Sequence, residues 1–275
     1  PSYVDSIIVC HICGLAMVPS PDRQTDGERT FTIALTFHGD LVLFLKREER
    51  DHLVRRVLRY KASVKDVIEA CGVPHPEVDL VIVNGKPVDF SFQLNADAAL
   101  EIYPVSAASE LFPDYRLQAR NELAFVADGH LGKLTRDLRL LGIDVSYRPD
   151  ALDSELLITM IRERRALLTR DRRLLMHRVV QTGYYPRSQH PIEQTTEVIK
   201  RFNLAEKLAP FQRCLHCNEW LLPVPKEAVL DRLEPLTRLY YHDFRRCSKC
   251  GQIYWRGSHY NYLESRVDAI IESIA

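Results

Sequence analysis

Two short apolar runs in the middle of this chain, LAFVAD ending at Asp128 and ALLTRD ending at Asp171, each stop on an aspartate and lead directly into a helical pattern. Carboxylates at the ends of neighbouring parallel strands face one crevice, which is where open α/β sheets bind their ligands. Asp153, with Asp150 as a further acid, precedes the helical run SELLITMIRER and can point back across the strand ends. Three carboxylates supply the hard oxygen donors that Mg²⁺ or Mn²⁺ requires. Such an ion polarises a phosphodiester and activates an attacking water. Arg170, Arg172 and Arg173 flank Asp171, and Lys133 and Arg136 follow Asp128, so cations able to hold phosphate accompany both strand ends. Gly129 leaves the backbone after Asp128 open to a metal or phosphate, and His130 is a candidate for substrate contact. Aspartate is also a favoured helix N-cap, worth about 1 kcal/mol without any function. That explains one strand-Asp-helix junction; two in one small sheet, with a third acid and arginines alongside, point to a metal site.

The cysteines carry a second chemistry. Cys214-x₂-Cys217 and Cys247-x₂-Cys250, separated by 29 residues, have the spacing of two knuckles that close a tetrahedral Cys₄ zinc site. Four thiolates leave no open position on the metal, so this zinc is structural and hydrolyses nothing. Trp220 and the run YWRGSHYNYLESR, with Arg256, place aromatic and guanidinium faces beside the knuckles. They can stack bases or form the core of a small zinc module, and both readings stand. The lone pair Cys10-x₂-Cys13 has neither a βαβ context nor a second pair nearby, and reads as incidental.

Residues 1–28 read as an extension or linker, with the Pro/Ser/Asp/Gly-rich stretch PSPDRQTDGE near its end. Residues 29–106 have a strand rhythm. FTIALTF alternates, Gly39-Asp40 turns the chain, and LVLFL is expected to return as the partner strand of a hairpin. A helix follows, with Ser63 and Asp66 as its capping box, Val64, Val67 and Ile68 as its apolar face, and Gly72 past its end. VDLVIVNGKPVDF is a hairpin around Asn84-Gly85, and ALEIYPV a last strand. The order matches a β-grasp. On SVKDVIEACGVPHPEVDLVIVNGKPVDF the chain resembles the ubiquitin-like domain, related to the sulfur carriers ThiS and MoaD, that is fused to certain bacterial nucleases. Sulfur carriers end in a free Gly-Gly; here the chain continues as YPVSAASELFP, which argues for a docking module for RNA or a protein partner.

Residues 110–208 alternate strand and helix. Strands are expected near 123–127, 143–147, 166–169 and 179–185, helices near 131–141, 153–163, 172–177 and 191–202, which is a parallel-sheet α/β domain. The first helix puts Leu131, Leu134, Leu138 and Leu141 on one face and leaves Lys133, Arg136 and Arg139 off it. FVADGHLGKLTRDLRLLGIDVSYRPD, DSELL, LLTRDRRLL and QTTEVIKRFNL resemble the RNase domain named after the C-terminal part of the animal exonuclease Mut-seven, a PIN-like fold. Its acidic positions fall on Asp128, on the Asp150/Asp153 pair and on Asp171. The resemblance implies a metal-dependent ribonuclease, with three acids where PIN nucleases commonly present four. CxxCGQIYWRGSHY is similar to the zinc-ribbon tail this family often carries, so residues 209–275 are expected to form a zinc ribbon and a C-terminal helix.

The fold class is therefore α/β and α+β: an N-terminal β-grasp, a PIN-like parallel-sheet nuclease domain and a C-terminal Cys₄ ribbon. Net charge is zero, with 37 basic and 37 acidic residues, which excludes a protein that coats nucleic acid by bulk charge. Residues 131–190 hold twelve Lys/Arg against seven Asp/Glu, whereas residues 30–105 hold nine against eleven, which assigns the positive surface to the α/β domain. No apolar run approaches the roughly 18 residues that cross a bilayer. Ser6–Val18 lacks the basic start of a leader, so a cytoplasmic protein without a membrane partner is expected. The leading reading is a Mg/Mn-dependent ribonuclease; the alternative is a non-catalytic RNA-binding adaptor whose acids only cap helices. An aspartate-nucleophile phosphatase would need a second Asp two residues after the first, where this chain has His130.

Overall fold

The computed structural model describes residues 30–50, 52–105, 111–118 and 124–274. The expected extension over 1–28, with Ser6–Val18, Cys10 and Cys13, lies outside the described residues.

The first domain runs β1 (Phe31–Phe37), β2 (Val54–Leu58), β3 (Ala62–Ser63), α1 (Val64–Ala70), β4 (Val78–Val83), β5 (Lys86–Val88), β6 (Gln93–Leu94) and β7 (Ala98–Pro104). Alternation buries Ile33, Leu35 and Phe37 of β1 on one face, against Val64, Val67 and Ile68 of α1. Five strands form one sheet in the order β2-β1-β7-β4-β5, with β1 and β7 parallel, as in a β-grasp. Ser63 caps α1 by accepting the Asp66 N–H at 3.1 Å. Asn84 and Gly85 turn β4 into β5 with φ of 48° and 81°, the left-handed backbone this turn demands.

The run LVLFL is not a strand. Gly39–Phe44 is a 3₁₀ turn, and Leu41, Phe44 and Leu45 are buried. That i, i+3, i+4 spacing suits a helical turn, so the antiparallel partner of β1 arrives only at Val54.

The second domain runs β8 (Ala124–Ala127), α2 (Gly132–Leu140), β9 (Asp144–Tyr147), α3 (Asp153–Glu163), β10 (Ala166–Leu168), α4 (Arg172–Leu175), β11 (Gly183–Tyr184) and α5 (Pro191–Phe202). All four strands are parallel, in the order β11-β10-β8-β9. Phe125 and Ala127 pack with Leu134 and Leu138 of α2 and Val198 and Phe202 of α5. Val126 and Leu167 pack on the opposite side with Leu156 and Met160 of α3 and Leu174 and Leu175 of α4. The chain leaves β8 in one direction to reach β9, then crosses back to β10 on the other side. The strand order therefore reverses between β8 and β10, the point at which doubly wound sheets place their ligand sites.

The remaining elements are β12 (Leu221–Val224), α6 (Pro235–Tyr240), β13 (Phe244–Cys247), β14 (Ile253–Trp255) and α7 (Ser258–Ile274), with β12-β13-β14 an antiparallel sheet. The helix α7 returns to the second domain: Val267 and Ile270 join its core, and Arg266 holds the buried Asp137 of α2 with bonds of 2.5 and 2.6 Å. No helix among the described residues is long and apolar enough to cross a membrane.

Buried polar contacts join the first domain to the second. Glu77, 2% exposed, accepts the Tyr185 N–H at 2.6 Å and pairs with Arg187. His75 lies between the Glu69 carboxylate and the Val180 carbonyl. Phe44 meets Tyr185 edge to face at 5.4 Å.

Candidate active site and metal centre

Asp128 and Asp171 come together at the reversal point of the sheet. Leu168 of β10 lies opposite Ala127 of β8, so the residues that follow each strand are neighbours. The buried Thr169 joins them: its hydroxyl donates to Asp128 Oδ2 at 2.7 Å and accepts the Asp171 N–H at 2.9 Å. Asp171 is a helix cap as well, its Oδ1 accepting the Arg173 and Leu174 N–H groups at 2.7 and 3.1 Å. Asp128 precedes a 3₁₀ turn and makes no side-chain cap bond, so capping does not account for its carboxylate. Each acid uses one oxygen in these bonds, Oδ2 of Asp128 and Oδ1 of Asp171. Thr169 was missed from sequence; its one signal is a buried-strand threonine directly before the Arg-Asp pair.

Asp153 is exposed and is the first residue of α3. Glu155 supplies the cap there, reaching back to the Leu152 N–H at 2.9 Å, so Asp153 is not occupied by capping. Asp150 is exposed beside Arg148 Nε at 3.7 Å. The connections after β8 and β9 pack together. Tyr147 donates its hydroxyl to the Gly129 carbonyl at 2.9 Å, and a Cβ on Gly129 would lie 2.4 Å from the Pro149 carbonyl oxygen. Gly129 is therefore a packing requirement, and the space beside it holds Pro149 rather than a ligand. This contact brings the loop that leads to Asp153 against the loop that starts at Asp128. It does not close a triad: among the described residues, the three aspartates do not form a group with donor atoms within 4.8 Å of one another.

The arginines divide into two sets. Arg172 donates to the Phe44 carbonyl at 2.8 Å and lies over the Phe44 ring, and Arg170 donates to the Ser188 carbonyl at 3.0 Å and lies over Tyr185. Both are engaged by backbone carbonyls and aromatic faces. Lys133, Arg136, Arg173 and His130 are exposed.

Cys214, Cys217, Cys247 and Cys250 place their sulfurs within 4.8 Å of one another, with 3.6 Å between Cys214 and Cys250 and 3.3 Å between Cys217 and Cys247. A tetrahedron with metal–sulfur bonds of about 2.3 Å has edges of about 3.8 Å, so the four thiols fit zinc. Burial raises the Cys247 thiol, but the N–H groups of Cys250 and Lys249 and the neighbouring thiols bring it down to about 7. Tyr254 accepts the Leu215 N–H at 3.2 Å and turns its own hydroxyl to Cys214 Sγ at 3.1 Å, orienting that ligand from outside.

Arg139, expected to lie off the buried face of α2, is 4% exposed. It donates to the Val145 carbonyl of β9 and to the carbonyls of Leu215 and His216 inside the first knuckle. Burial lowers its pKa, and the Cys214 and Cys217 thiols oppose that. Asn218, just after the knuckle, accepts the Val145 N–H and donates to Asp144. The Cys₄ module thus covers the free edge of β9 and satisfies its backbone at Val145. Burial works against the Asp144 charge, but hydrogen bonds from Arg165 and Asn218 and nearby Arg213 outweigh it and hold the carboxyl below its usual range.

A polar cleft of about 570 Å³ lies between α3, β9 and the knuckles. Of its arginines, Arg165 pairs with Asp144 and Glu163, Arg148 with Glu155 and Arg213 with Asp144, while Arg139 is held by carbonyls, and neither Asp128 nor Asp171 lines it.

Residues 123–267 match the family described as the Mut7-C RNAse domain, slightly more than half of the chain. Residues 30–110 match the Mut7-C ubiquitin family. No curated protein and no solved structure gives a significant match.

Proposed function

The chain belongs to the Mut7-C RNAse domain family, and from that premise we propose that it hydrolyses RNA phosphodiester bonds at the crevice between β8 and β10. The observation that carries this reading is the Asp128–Thr169–Asp171 hydrogen-bond chain at the reversal point of a parallel sheet. Asp128 and Asp171, with Asp153 and Asp150 from the adjoining loop, would hold Mg²⁺ or Mn²⁺, whose charge lowers the pKa of bound water and polarises the scissile phosphate. Thr169 fixes the rotamer of Asp128, and the Asp171 cap fixes the start of α4. Lys133, Arg136 and Arg173 are exposed at the same end of the sheet and would attract the polyanion. The Cys₄ zinc is structural, and Arg139 and Asn218 transmit its rigidity to β9.

A second reading, an RNA-binding adaptor, is favoured by the absence of a pre-closed carboxylate triad among the described residues and by the capping duty of Asp171. Asp128→Asn separates the two, because the Asp128 carboxylate caps nothing. The ribonuclease reading expects cleavage of single-stranded RNA in Mg²⁺ or Mn²⁺, its loss in EDTA, and at least a hundredfold slower turnover in Asp128→Asn with zinc content intact. Equal turnover in the variant, or no metal-dependent cleavage by the wild type, favours the adaptor.

A further inference from the structure

The charge balance of the ubiquitin-like domain conceals a concentrated basic strip. Of the nine Lys/Arg in residues 30–105, seven fall between residues 46 and 61, against three acids. Lys46, Arg47, Arg50, Arg55, Arg59 and Lys61 are all exposed, while Glu49 is engaged by Arg56 at 2.8 Å. The positive surface therefore extends beyond the α/β domain, to which the domain-wide balance had assigned it. The strip follows β2, the edge of its sheet, where Val57 and Tyr60 are 66% and 79% exposed.

The strip is continuous with the candidate active site. Arg50 donates to the Leu45 and Leu43 carbonyls at 3.3 and 3.4 Å. Arg172 of α4, adjacent to Asp171, donates to the same Leu43 carbonyl at 3.4 Å. Two guanidiniums thus converge on one oxygen, one from the strip and one from the first turn of α4.

We propose that residues 46–61 are a docking surface for single-stranded RNA, which leads the strand to Asp128 and Asp171. Phosphates lie along Arg47, Arg50, Arg55, Arg59 and Lys61, and the Tyr60 ring stacks a base. The identity of the polyanion rests on the ribonuclease reading above. Charges on an edge strand also discourage edge-to-edge pairing, which would explain Arg55 of β2. It does not explain Lys46, Arg47 and Arg50, which belong to a connection and not a strand. The same charges disfavour a protein strand added to β2, leaving a polyanion as the occupant.

The test uses the full chain, zinc-loaded and carrying Asp171→Asn to prevent turnover, with a fluorescein-labelled oligouridylate followed by anisotropy across a range of salt. In Arg55→Gln/Arg59→Gln/Lys61→Gln the slope of log affinity against log salt should fall by about two, and affinity near 0.1 M salt by about a hundredfold. Arg55→Gln alone should lower the slope by about 0.7. A control triple of exposed cations elsewhere, Arg162→Gln/Lys200→Gln/Lys207→Gln, should change affinity less than about threefold. Unchanged affinity and slope in the strip variant, or an equal loss in the control, overturns the proposal. So does retention of polyglutamate in preference to the RNA, which would make the partner an acidic protein. If the strip variant loses binding while the wild type, with Asp171 intact, cuts no RNA in Mg²⁺ or Mn²⁺, the docking surface stands and the ribonuclease reading fails.

Discussion

Arg139→Met retains the aliphatic stem and removes a guanidinium that donates four hydrogen bonds. Two go to the Val145 carbonyl, at 3.0 and 2.8 Å, and one each to the Leu215 and His216 carbonyls, at 3.2 and 3.0 Å. Bonds from a charged donor contribute about 1.5–3 kcal/mol each, but four from one group do not add. Burial disfavours the charge and offsets part of the gain, leaving a net loss of about 3 kcal/mol. Half of the bonds reach into the Cys214–Cys217 knuckle, so about half of the loss depends on the zinc module being seated on β9. Urea unfolding of wild type and variant, each zinc-loaded and each after chelation, measures both parts. The difference should be about 3 kcal/mol with zinc and about half that without, because chelated wild type has already lost the knuckle contacts. A difference below about 1 kcal/mol with zinc, or one that chelation leaves unchanged, would refute the coupling of zinc site and sheet.

Gly129→Ala places a Cβ against the Pro149 carbonyl and should destabilise by about 1–3 kcal/mol while slowing RNA cleavage at unchanged zinc content; a wild-type melting temperature together with a wild-type rate would count against it. Asp144 has a lowered folded-state pKa, so its stabilisation is complete above the ordinary carboxylate value of 3.8 and disappears as pH falls below it through the folded value. In acid titrations monitored by unfolding, wild type should therefore lose more stability over that window than Asp144→Asn, and parallel curves would show that the Arg165 and Asn218 contacts contribute nothing.

Local signals carried most of the elements. Helix 153–163 and helix 191–202 lie where apolar period and flanking residues place them, and Asn84-Gly85, Ser63 and the two knuckle pairs act as their local chemistry dictates. What sequence could not supply were partners distant along the chain. α2 shows one leucine face, yet Thr135, Asp137 and Arg139 are buried too, because α7 and the knuckle cover its other sides through Arg266 and the Leu215 and His216 carbonyls. Arg172 has the composition of a phosphate ligand, but its partner is a carbonyl 128 residues earlier. LVLFL has the composition of a strand, but its buried residues follow a helical spacing that becomes visible only when the core is known. Of the site itself, Asp128 and Asp171 were legible as strand ends; Thr169, which joins them, has a partner across the sheet and no periodic signature.

In the proposed function the strand-end aspartates share one role, metal-dependent RNA hydrolysis. It is tested most directly by the rate of cleavage of a labelled single-stranded RNA as a function of Mn²⁺ for wild type and Asp171→Asn, since asparagine retains the cap on α4 and removes the charge. The predicted result is a rate that saturates with Mn²⁺ in the wild type and falls by at least a hundredfold in Asp171→Asn, with melting temperature and zinc content unchanged. Equal rates in the two proteins, or a wild-type rate indifferent to Mn²⁺ and EDTA, would contradict it.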